Sequence, residues 1–116
     1  MIVHVVLFEP RAGLAQADRA RLLEDLRSAS AAIPSVRRFR VGRRVQHGLP
    51  GYEPAMERDY RYAAVVEFDD RAGLETYLRH PAHEAIGRHF TASAAHAIAY
   101  DFEMRDAADP DTATLV

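Results

Sequence analysis

His4, Tyr77 and His83 are the residues around which proton chemistry could be built in this chain. His4 stands among apolar residues (Ile2, Val6 and Phe8 at alternate positions), so burial should keep its imidazole neutral. His83 precedes Gly87 and Phe90 by four and seven residues, which places it on a helical face with an apolar ring and with free volume beneath it. Tyr77 shares a stripe with Leu74. Two neutral imidazoles and a phenol suit removal of a proton beside a carbonyl. One ring takes the proton, and the phenol and second ring donate to the oxygen where charge develops. A lone core histidine is more often structural, so the catalytic reading requires all three groups to converge.

The composition removes most competing chemistries. There is no cysteine, hence no disulfide, thiolate nucleophile, iron–sulfur cluster or cysteine-ligated zinc. All fifteen basic residues are arginine, which excludes Schiff-base chemistry and the usual P-loop. His80 and His83 are separated by a proline break, and the His83-Glu84 pair lacks a second histidine because position 87 is glycine. His89 and His96 lie two turns apart with no carboxylate at ligand spacing between them. Neither a metal nor a cofactor is expected. Arg37, Arg38, Arg40, Arg43 and Arg44 read as a solvated edge strand. With a net charge of −2, no nucleic-acid partner is expected. No apolar run approaches bilayer length and no basic leader precedes Ile2, so the expectation is a cytoplasmic protein with no membrane partner.

These residues need elements to hold them. Residues 2–8 read as a strand apolar on both faces, and 15–33 as a helix with Leu22, Leu26, Ala29 and Ile33 on one stripe, closed by Pro34. A second strand is predicted over 36–45 with a bend or bulge near Gly42, then a loop over 46–60 long enough to serve as a lid. Strand three covers 61–68. Asp69-Asp70 offers an N-cap to a short helix that His80-Pro81 breaks, and the next helix is predicted to run to about His96. A strand over 97–104 puts Ile98, Tyr100, Phe102 and Met104 on one face. Residues 1–104 thus form one domain and 105–116 a flexible C-terminal tail. The order β-α-β-β-α-β predicts the α+β class: a ferredoxin-like four-stranded antiparallel sheet with helices on one face. The bare face of so apolar a sheet calls for cover, and a second copy packed sheet to sheet predicts a homodimer.

Strand one with His4, the stretch Tyr62-Ala63-Ala64-Val65-Val66-Glu67-Phe68-Asp69-Asp70, and Tyr77-Leu78-Arg79-His80-Pro81-Ala82-His83 together resemble the stress-responsive A/B barrel (Dabb) family over about residues 1–104. The resemblance implies a dimeric α+β barrel. The polyketide-cyclase branch of that family, the olivetolic acid cyclase-like enzymes, is similar at His4, Tyr77 and His83. At Tyr62 this chain departs from a pocket histidine of that branch, which implies a different pocket shape or substrate. The expectation is a cofactor-independent cyclase acting on a small hydrophobic or carbonyl-rich ligand by aldol cyclisation or a related proton transfer. His83 would be general base and acid, Tyr77 would stabilise the enolate oxygen, and His4 would orient substrate. The cavity between sheet and helices would be lined by Ile2, Val6, Tyr62, Leu78, Ile86 and Phe90. The alternatives are a cofactor-free monooxygenase, and a stress-response or binding protein without catalysis.

Overall fold

The structure is a computed structural model that describes residues 1–53 and 56–115. Pro54, one of the prolines of the expected loop, lies outside the described residues. Four strands, β1 (Ile2–Pro10), β2 (Arg38–Arg43), β3 (Tyr62–Phe68) and β4 (Ala94–Glu103), form one antiparallel sheet in the order β2-β3-β1-β4. Helices α1 (Gln16–Ala32), α2 (Arg71–Arg79) and α3 (Pro81–Ser93) complete the ferredoxin-like β-α-β-β-α-β fold.

Register decides which side chains meet the helices. His4 stands opposite Val66 on one side and Asp101 on the other, and Val66 stands opposite Phe39. Because successive strand residues alternate between faces, Ile2, His4, Val6 and Phe8 share one face and Val3, Val5 and Leu7 the other. The His4 face carries the core: Val66 and Phe68 pack with Ala29 of α1 and Ile33 at its C-terminal cap and with Leu74, Tyr77 and Ile86. Burying a side chain the size of Phe68 or Ile33 contributes roughly 1.5–3 kcal/mol.

Among the described residues no helix covers the opposite face. It exposes Leu7, Tyr100, Phe102 and Met104, with Tyr100 61% and Phe102 49% accessible. The molecule is accordingly a slab, 48 × 42 × 17 Å.

Several expected boundaries shift. Gly42 pairs in register with Ala63, so there is no bulge at Gly42; the irregularity lies in β1 between Glu9 and Pro10, opposite β4. Proline has no N–H to donate, and a central strand accommodates it only where pairing is already broken. The expected second strand, 36–45, contracts to Arg38–Arg43, although Arg37 N and Arg44 N still donate to Glu67 and Arg61 carbonyls. The last helix ends at Ser93 rather than His96. Ala94 and His96 are drawn into the sheet against Pro10 and Glu9, and Arg11 N donates to the Ser93 carbonyl at 2.8 Å. Alanines that favour a helix locally are overruled by strand pairing. The segment expected to be a loose tail carries a 3-10 helix, Pro110–Leu115, held by local bonds such as Thr112 Oγ1 to the Asp106 carbonyl, 2.7 Å.

β2 is an edge strand, and Arg38 and Arg40 on it, with Arg37 and Arg44 beside it, pair with neighbouring acids. Arg37 meets Asp69 at 2.7 Å, Arg38 and Arg40 each approach Glu67 at 3.8 Å, and Arg44 pairs with Asp59. This charged, solvated edge resists pairing with another strand.

Candidate active site

The break between α2 and α3 builds the centre of the site. In an uninterrupted helix the Tyr77 carbonyl would accept from residue 81, but Pro81 has no N–H, and His80 N donates to it instead at 3.2 Å. Ala82 N, the ordinary partner of the Leu78 carbonyl, donates to the His80 ring at 3.0 Å, so His80 caps α3. The Leu78 carbonyl is thereby free, and His83 Nδ1 donates to it at 3.1 Å. In the neutral ring this fixes the proton on Nδ1 and leaves Nε2 with a lone pair.

Three rings converge. Tyr77 and His83 have centroids 4.7 Å apart, His4 and Tyr77 5.7 Å, and His4 and His83 6.4 Å. Phe68, 5.2 Å from Tyr77, and Phe39, 6.3 Å away, wedge the phenol from the core side. Burial pushes the Tyr77 phenol up to about 12, so it is a neutral donor at physiological pH. No sealed polar side-chain atom lacks a partner among the described residues, and none of them hydrogen-bonds the Tyr77 hydroxyl. Tyr77 as a whole is buried, 2% exposed. The His83 imidazole is held below its ordinary value, chiefly by burial and also by the nearby His4 ring, against an opposing effect of the Leu78 bond and Glu84.

Asp101 is the member of the site that local spacing did not reveal. It sits directly across the ladder from His4, and His4 Nδ1 donates to its Oδ1 at 2.6 Å, which fixes the orientation of that ring. A polar residue on the inner face of β4 was the one available signal.

The hollow lies beside the three rings rather than around them. An apolar cavity of about 420 Å³ runs between α1 and the inner face of the sheet. Of the six residues expected to line it, Val6, Tyr62 and Phe90 do so, while Ile2, Leu78 and Ile86 do not. Ile86 is buried in the core, and Ile2 and Leu78 pack against it. His4, Tyr77 and His83 are not among the lining residues. The cavity starts at Val6, the next residue on the His4 face, roughly 7 Å along the strand. An ideal Cβ on Gly87 would meet nothing within 4 Å, so there is open space at that turn of α3.

The loop after β2 bounds a different hollow of about 400 Å³, with Tyr52, Met56 and Tyr60 facing Leu7 and Ala63. The described residues of the loop line neither the apolar cavity nor the three-ring cluster. The remaining histidines are scattered: His89 bonds Asp25 of α1, and His96 contacts Arg58. Among the described residues no group of three or more histidine, aspartate or glutamate side chains is placed to hold a metal ion. Nor, among them, is any helix long and apolar enough to cross a membrane.

The family model of the stress responsive A/B barrel domain matches residues 2–104. No curated protein matches the sequence. Among solved structures, a Dabb-family protein with a ferredoxin-like fold from Mesorhizobium loti is 24% identical, with 90% of this chain and 97% of that one covered and a TM-score of 0.69. A dimeric ferredoxin-like protein of unknown function from Thermobifida fusca is also 24% identical over 89% of this chain and 90% of that one, TM-score 0.68. The hydroxynitrile lyase of Passiflora edulis is 11% identical over 90% and 94%, TM-score 0.75.

Proposed function

The chain belongs to the stress-responsive A/B barrel family, and from that premise we propose that it is a cofactor-independent enzyme closing a ring in a linear, carbonyl-rich compound by proton transfer. The observation that carries this reading is the convergence of His83, Tyr77 and His4 at 4.7–6.4 Å, with His83 Nδ1 occupied by the Leu78 carbonyl. His83 Nε2 takes a proton from the carbon between two carbonyls. The Tyr77 hydroxyl donates to the enolate oxygen, and His4, held by Asp101, orients the second carbonyl. The enolate carbon attacks that carbonyl within the same molecule, forming one carbon–carbon bond, and the resulting alkoxide recovers the proton from His83. The apolar cavity takes the unreactive part of the substrate. A hydroxynitrile lyase shares the fold, so this scaffold admits lyase chemistry.

The test is ring closure of linear β-di- and tricarbonyl compounds, followed by the absorbance of the cyclic product. His83→Ala should lower kcat by about 10²–10⁴-fold, with the fold retained by circular dichroism. A variant that keeps the full rate overturns the proposal. Because the His83 ring titrates below the ordinary histidine value, the rate should be flat above about pH 6.5 and fall only on the acid side.

The protein acts as a homodimer in this reading. The support is its uncovered apolar sheet face and the dimeric description of its ferredoxin-like neighbours.

A further inference from the structure

The cavity wall is apolar except at two residues. Val6, Leu22, Leu26, Val41 and Phe90 are typical of it, and the charged residues among its lining are two arginines, Arg19 and Arg43. Neither guanidinium has a carboxylate within ion-pair distance among the described residues, whereas the other β2 arginines, Arg38, Arg40 and their neighbour Arg44, do. Arg19 makes only a long contact, 3.5 Å, to the Leu14 carbonyl. Two exposed cations with no acidic partner, both lining an apolar hollow, complement a ligand with an apolar body and an anionic head.

The sheet also gives a length. Phe39 lies in the same cross-strand row as Val66 and His4, and Arg43 lies four residues further along β2, on the same face and opposite Tyr62. Four strand residues span roughly 13 Å. We propose that the site selects an acid: a linear keto acid whose carboxylate is bound by Arg43 and Arg19 and whose reacting carbonyl reaches the His4 row, with an apolar segment between them. This rests on the reading of the cavity as the seat of the substrate's unreactive part, and it adds the chemical class of the far end.

Calorimetric titration with decanoate and with decan-1-ol, each below its aggregation limit, tests it. The protein should bind decanoate at least tenfold more tightly than the alcohol. Arg43→Gln and Arg19→Gln should each weaken decanoate several-fold and leave the alcohol unchanged, and Arg71→Gln on α2 should change neither. Ala64→Leu, which fills the cavity, should weaken both probes alike. Equal affinity for the two probes, binding of neither, or a preference that survives the Arg19/Arg43 double substitution overturns the inference. His83→Ala should bind decanoate as the parent does. Ring closure that persists without the acid preference would therefore remove only this inference, and acid preference without ring closure would remove only the cyclase reading.

Discussion

Tyr77 is where a single side chain has the largest measurable consequence. Its phenol is raised to about 12 by burial against an ordinary value of 10.0. A raised acid is favoured in its neutral form by the fold, so its contribution is complete below pH 10 and is lost as pH rises from there through about 12. That rise corresponds to about 3 kcal/mol. Ultraviolet titration should show an ionisation near pH 12 that Tyr77→Phe removes, and stability of the parent should decline over the same interval. An absorbance change complete by pH 10 would contradict the packing of Phe68 and Phe39 around this ring. His83 has the opposite sign: its lowered value means that protonation below about pH 6.5 works against the fold. His4, Tyr77 and His83 were legible from the sequence because each lies in a regular element whose period gives its direction. Asp101 was not, since its partner is 97 positions away and only the β1–β4 register brings them together.

The elements themselves were legible wherever local chemistry and tertiary pairing agree. Asp70 accepts from Gly73 N at 2.8 Å and caps α2, as its position before an amphipathic turn implied. Asp70→Ala should cost about 1 kcal/mol in denaturant unfolding. Gly87→Ala should instead add about 0.5–1 kcal/mol, because the new methyl meets nothing within 4 Å and alanine favours the helix. The same unfolding curves measure both, and a destabilising Gly87→Ala would show that the space beside His83 is narrower than described. Where local and tertiary preferences conflict, the sequence misled. Ala94 to His96 read as helix until pairing with Pro10 and Glu9 claimed them, and Gly42 suggested a bulge that belongs to the bond-deficient proline of β1. The cavity walls were harder to read still, because helix periodicity tells which face is inward but not which inward residues pack solidly. Ile86 fills the core, and Phe90, one turn on, borders empty space.

On the scale of the whole molecule, the proposed homodimer would cover the bare apolar face of a slab 17 Å thick. Phe102→Asp on that face should shift sedimentation from dimer to monomer, and because the three rings lie on the other side of the sheet their geometry should survive in the monomer. A variant that remains dimeric would place the contact elsewhere.

β1 lies between β3 and β4, and Met104 N donates to the Met1 carbonyl at 2.9 Å, so the first strand of the domain is hydrogen-bonded to its last. Translation must therefore run almost to the end of the domain before β1 can satisfy both of its edges. Contacts distant along the chain dominate, which favours slow folding. Until then one edge of a segment rich in Ile, Val, Leu and Phe stays unpaired. That interval is when this protein is most exposed to aggregation and has most use for a chaperone.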